Sequence, residues 1–159
     1  MIELIVKRGR ALVDARSVII LLREGDELVV AARAGHAVDT GGPLPLEEST
    51  TVQVMQRRRA ERIGDVASRV GLVPRELGVA DARSALLVPL VFRDESLGVL
   101  AAFDRGENGR AFLEEDEEVL RAFAAGAATA VATGKVVSAL RGEDDASAGQ
   151  AANRPRRSA

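Results

Sequence analysis

Catalysis or metal binding needs a nucleophile, a base or a set of ligands, and this chain offers few. It has one histidine, His36, and no cysteine. The missing thiols remove cysteine nucleophiles, disulfides, thioether-linked cofactors and thiolate metal sites together. No Ser/His/Asp order, phosphate loop or zinc spacing replaces them. The expected mode of action is therefore binding, with no enzyme activity and no metal. Two charge runs remain. Arg57-Arg58-Arg59 falls at the end of a predicted short helix, and Glu114-Glu115-Asp116-Glu117-Glu118 at the start of a predicted long one. Cations at a helix C-terminus and anions at an N-terminus complement the macrodipole. That structural role outweighs phosphate binding for the arginines, and a metal or basic-partner site for the acids.

The composition sets the background for these residues. Of 159 residues 47% are hydrophobic and 29% charged, enough for one core in one globular domain. The formal charge is -2, so no global field draws the chain to nucleic acid or an anionic membrane. Four phenylalanines, with no Trp or Tyr, leave little for base stacking. Neither nucleic acid nor a membrane is an expected partner. No charged-then-apolar signal segment opens the chain, which makes the cytoplasm the expected location.

The elements that must position any site follow from periodicity. Ile2, Ile5, Val6, Gly9, Leu12 and Val13 share one helical face, and no N-cap candidate precedes Ile2, as expected of a chain cut from a longer one. Ser17–Leu22 and Glu27–Ala34 read as a hairpin. Its first strand is apolar on both faces and so belongs at the sheet centre. A loop over Gly35–Pro45 precedes a short helix capped by Ser49 and ending near Arg58. Glu61–Asp65 is a candidate strand, and Ala67–Ala82 an irregular connection. Ser84–Phe92 and Ser96–Phe103 form the clearest hairpin, with Pro89 expected beside a bulge, an edge or a connection. A long helix is expected from Phe112 to Leu140, then a disordered polar tail over 141–159. Because the helical pattern stops at Arg141-Gly142, any output domain is expected on the N-terminal side. The fold class is α+β.

This element order resembles that of GAF domains, the small-molecule-sensing relatives of PAS domains. Ser84-Ala-Leu-Leu-Val-Pro-Leu90 followed by Leu97-Gly-Val-Leu100 is similar to the family's central hairpin. Phe112-Leu-Glu-Glu-Asp-Glu-Glu-Val-Leu120 is similar to the opening of its last helix, and Leu44-Pro45-Leu46 also fits. The resemblance spans about residues 2–140. It implies a central antiparallel sheet with the first and last helices on one face, and a pocket roofed by residues 35–82 on the other. It further implies a sensory or regulatory domain of a bacterial signalling protein, the alternative being a dimerisation scaffold with a collapsed pocket. Haem-binding members place a histidine just before the hairpin, where this chain has Arg83, and a guanidinium does not ligate iron. Bilin attachment and the family's free methionine sulfoxide reductase chemistry both require cysteine. The cyclic-nucleotide signature is not recognisable. No haem, bilin or metal cofactor is expected.

A pocket of this kind would take its polar lining from strand ends and the covering segment. The candidates are Arg33, His36, Arg62, Asp65, Arg83 and Ser84, with Met55 and Phe103 as apolar walls. An exposed Arg at a strand end is the commoner case, and Arg62 and Asp65 are placed to pair with each other. The long helix carries a second candidate surface. Gly126, Ala130 and Gly134 recur every four residues beside Phe123 and Val137, and its apolar positions cover more than the stripe one sheet needs. A homodimer through the terminal helices is expected.

Overall fold

Strand β1 (Ala15–Glu24) sits in the middle of the sheet because neither of its faces tolerates water. Val18, Ile19, Ile20 and Leu21 are all fully buried, and alternation along the strand sends them to opposite sides. In this computed structural model the described residues are 2–45, 47 and 49–153; the side chains of Pro45 and of 135–153 lie outside the description, as does Leu46 of the Leu44-Pro45-Leu46 motif. Helix α1 (Ile2–Leu12) precedes β1, and β2 (Glu27–Gly35), β3 (Leu44–Pro45), α2 (Thr50–Arg57), β4 (Glu61–Ile63), β5 (Ala85–Phe92), β6 (Glu95–Arg105) and α3 (Glu114–Asn153) follow. The strands form one six-stranded sheet ordered β3-β2-β1-β6-β5-β4, antiparallel throughout.

Two cores result, one on each face. Val18, Ile20, Leu22, Leu86, Val88, Leu90, Leu100 and Ala102 pack against Ile5 and Val6 of α1 and Leu120, Ala124, Ala128 and Val131 of α3. On the opposite face Ile19, Leu21, Leu87, Val99 and Phe103 pack under Val52 and Met55 of α2 and Val66, Leu72, Leu77 and Val79 of the connection to β5. The first and last helices thus share one face, and residues 36–84 cover the other.

Local chemistry explains most boundaries. Ser49 caps α2, its hydroxyl accepting from the Val52 N–H at 3.2 Å, and Arg58 ends that helix in the left-handed region. Strand β4 stops at Ile63, short of the expected Asp65, and pairs only with Ala85–Leu87. The edge of β5 beside Pro89 is therefore open, and a register shift follows at Leu90/Val91, which is where a residue without an N–H can sit in a strand. Helix α3 starts at Glu114, two residues after Phe112; Asp116 reaches back to accept from the Leu113 N–H at 2.8 Å, one arm of a capping box. It continues to Asn153, past the expected end at Leu140, so the polar segment read as a disordered tail is helical backbone as far as Asn153. Ala146, Ala148, Ala151 and Ala152 carry the highest helix propensity there. The helix break at Arg141 that argued for an N-terminal output domain is accordingly absent.

Gly98 shows how tightly the central strands meet. A Cβ at this position would lie 1.9 Å from the Leu21 carbonyl oxygen, a backbone atom that cannot rotate away. The glycine of the Leu97-Gly98-Val99 motif is thus a close-approach residue. Gly98→Ala is expected to destabilise the domain by roughly 1–3 kcal/mol or to prevent folding, read from urea unfolding monitored by circular dichroism.

Candidate functional site

The covered face is closed by its own side chains. Met55 and Phe103, the expected apolar walls, are among its most buried residues and belong to the core cluster on that face. Backbone stitches hold the cover down. The Val38 N–H donates to the Gly78 carbonyl at 2.9 Å and the Thr40 hydroxyl to the Glu76 carbonyl at 3.0 Å, while buried Thr50 bonds through its N–H and hydroxyl to the carbonyls of Gly71 and Val70. A depression of about 270 Å³ lies at the margin of the cover, between Leu28, Leu44, Ser49, Leu72 and Leu77, rimmed by Glu47 and Glu76.

The expected polar lining does not converge. Arg33 pairs in register with Ile19, so its side chain leaves the sheet on the covered side; its guanidinium is 3.7 Å from Asp39, and its Nε is buried without a hydrogen-bond partner. His36 directly follows the C-terminal end of β2, beside a surface hollow shared with Arg10, Asp14, Arg16 and Glu107. Arg62 pairs with Glu117 of α3 at 2.9 Å, and Asp65 accepts from the Ser68 hydroxyl at 2.7 Å. The suggested Arg62–Asp65 pair does not form.

Arg83 and Ser84 belong to a structural junction. Asp104, at the end of β6, is 5% exposed and at positive φ. One of its carboxylate oxygens accepts from the Arg83 N–H at 2.7 Å and the Ser84 N–H at 3.2 Å, and the Ser84 hydroxyl donates to the Arg110 carbonyl at 2.7 Å. These bonds tie the start of β5 to the loop that leads into α3. Part of the acidic run does similar work, since Asp116 also pairs with Arg105 at 3.2 Å. Glu114, Glu115 and Glu118 are exposed. Among the described residues no cluster of three His, Asp or Glu side chains is placed to hold a metal ion.

Helix α3 offers a different kind of surface. Gly126 and Gly134 are exposed, with open space where a Cβ would stand. Ala130 is half-buried against the helix-side core, and Phe123 is occupied within the chain, lying 3.3 Å from where a Cβ on Gly9 of α1 would be. The side chain of Val137 lies outside the described residues. Leu4 and Leu12 on α1 and Val119 on α3 are 46%, 51% and 43% exposed, apolar area that the monomer leaves uncovered. Beside α3 runs a groove of about 410 Å³, floored by Val88, Pro89 and Val91 and walled by Arg58, Arg59, Ala60, Glu117, Arg121 and Ala125. The Arg57-Arg58-Arg59 run is visible in the sequence. Its meeting with Arg121 is not, because only the packing of α3 on β5 brings them together.

The comparisons with known proteins agree with this architecture. The family profile described as GAF domain matches residues 1–133, and the chain belongs to that family. The GAF domain of a phosphoenolpyruvate-protein phosphotransferase from Coxiella burnetii has a similar structure, with TM-score 0.75 and 21% identity over 87% of this chain and 84% of that one. The GAF-B domain of DevS from Mycobacterium smegmatis is also similar, with TM-score 0.67 and 24% identity over 88% and 94% of the two chains. So is a free methionine-R-sulfoxide reductase from Neisseria meningitidis solved with its substrate, at TM-score 0.64 and 22% identity over 77% and 71%. No curated protein sequence matches the chain. Homologues of this family are sensory or regulatory domains of signalling proteins, and the likeness to the solved structures is one of fold.

The Asp104 junction yields a test of what Ser84 and Arg83 do. Asp104→Ala removes one acceptor from two backbone donors and is expected to cost about 2–3 kcal/mol of stability, measured by urea unfolding. A loss of less than half that would show the junction to be dispensable.

Proposed function

We propose that this chain is the sensory or regulatory GAF domain of a bacterial signal-transduction protein, located in the cytoplasm and acting as a homodimer through α1 and α3. Residues 1–140 are taken as the domain and 141–159 as an extension outside its core. The observation that carries the reading is the contrast between its two faces. The covered face, where the family resemblance implies a pocket, is filled by Met55, Phe103, Leu72 and Leu77, and its marginal depression falls below the range of about 300–1,000 Å³ usual for small-molecule sites. The helices instead leave Leu4, Leu12 and Val119 exposed, and Gly126 and Gly134 of α3 open onto free space. Burying such a surface against a second copy lets helix backbones approach closely and gives a signal a route out of the domain through helix arrangement.

The scaffold reading, a dimer with no small ligand, is favoured by the same filled core. The sensor reading is favoured by Arg33, whose unpartnered Nε on the covered side is a donor that an anionic ligand or a shift of the cover would satisfy. In both readings the chain works by contact and not by catalysis, without haem, bilin, metal, nucleic acid or membrane. No helix among the described residues is long and apolar enough to cross a membrane.

Two measurements test this reading. Haemin added to the purified chain is expected to give no Soret band that His36→Ala abolishes; such a band would count against it. Gly126→Leu with Gly134→Leu provides the test of the dimer, because both positions open onto empty space in the monomer. The double variant is expected to keep or raise fold stability, as each glycine removed from a helix contributes roughly 0.5–1 kcal/mol. It is also expected to shift the protein from dimer to monomer in light scattering across a dilution series. A wild-type monomer throughout that series would overturn the proposal.

A further inference from the structure

The groove beside α3 has a charge arrangement that the fold does not complete. Its two walls are the α2–β4 region and the stripe of α3 formed by Glu117, Arg121 and Ala125, spaced one helical turn apart. At the first turn the walls are complementary, with Arg62 of β4 against Glu117 of α3 at 2.9 Å. At the next turn both walls present guanidinium groups, Arg59 from one side and Arg121 from the other. Among the described residues neither makes an ion pair or a side-chain hydrogen bond. Arg58 adds a third positive charge. Its own counter-ion, Asp94, is 3.9 Å away with a fully exposed side chain, and the closer bond of Arg58 is to the Asp94 backbone carbonyl at 2.9 Å. Three cations and one carboxylate, that of Glu117 already paired with Arg62, line the concavity, so its net charge is positive and favours an anion. The floor of Val88, Pro89 and Val91 is apolar and lies against the open edge of β5.

We propose that this groove is a binding site for a small phosphate monoester carrying an apolar or aromatic group. A dianion matches three guanidinium groups better than a single carboxylate does, and the planar fork of arginine suits phosphate oxygens. The apolar portion lies on Val88, Pro89 and Val91. The groove volume of about 410 Å³ is that of a small-molecule site and not of an extended protein interface. The site is separate from the covered face, since Val88 packs with the helix-side core. An anion held by Arg59 and Arg121 joins the link between α2 and β4 to α3, so occupancy couples the covering segment to the last helix.

The test is a titration of the full chain with phenyl phosphate, inorganic phosphate and a glutamate-rich peptide, followed by amide and arginine Nε chemical shifts. Phenyl phosphate is expected to saturate shifts at Arg59, Ala60, Val91 and Arg121, to bind more tightly than inorganic phosphate, and to lose about tenfold or more in affinity in Arg121→Gln and in Arg59→Gln. Both arginines are exposed, so either variant keeps the fold, and Arg8→Gln on α1 is the control expected to bind as the wild type does. The absence of saturable shifts, equal affinity for the two phosphates, or affinity unchanged in both groove variants would overturn the proposal. Saturation by the peptide without phenyl phosphate binding would also overturn it and assign the groove to an acidic protein partner.

Discussion

A strand that is apolar on both faces must be covered twice, and this requirement of β1 organises the molecule. With Ile19 and Leu21 on one side and Val18 and Ile20 on the other, β1 cannot lie at an edge or leave a face to solvent. Its partner β6 has the same double-sided character through Val99, Leu100, Ala101, Ala102 and Phe103. The two strands meet at Gly98, where only a residue without a side chain fits against the Leu21 carbonyl. Three layers follow, with α1 and α3 below the sheet and α2 with its flanking connections above.

The upper layer is made of segments too short and irregular to form a rigid lid unaided. Hydrogen bonds between distant loops hold it, such as Val38 with Gly78 and Thr50 with Gly71, while side chains from α2 and the following connection fill the space beneath. A face built this way is sealed only while its stitches hold.

The lower layer also carries surfaces that another molecule can reach. Helix α3 serves the fold with Leu120, Ala124, Ala128 and Val131, and anchors itself through Asp116 to Arg105 and Glu117 to Arg62. The acidic run at its start is thus partly spent on specific ties as well as on the helix dipole. Its remaining faces are the small-residue surface around Gly126 and the arginine-lined groove at Arg121. Both lie on the same helix.

The sequence alone determined the elements whose signal is local. The double-sided apolar run of β1, the Ser49 cap of α2, the hairpin around Arg93-Asp94 and the amphipathic α1 are each written within a few neighbouring residues, and periodicity and capping chemistry act at that range. The order of these elements, with the Ser84–Leu90 and Phe112–Leu120 motifs, also made the family legible. What tertiary structure decided is where side chains far apart in the chain meet. Arg62 and Asp65, three residues apart, were placed to pair, yet each found its partner elsewhere because β4 docks against β5 and α3. Met55 and Phe103 were read as walls of a pocket and became core, since whether a cover closes depends on the summed volume beneath it and not on any one residue. Arg59 and Arg121 share a groove only because α3 crosses the edge of β5, a long-range contact with no trace in local pattern.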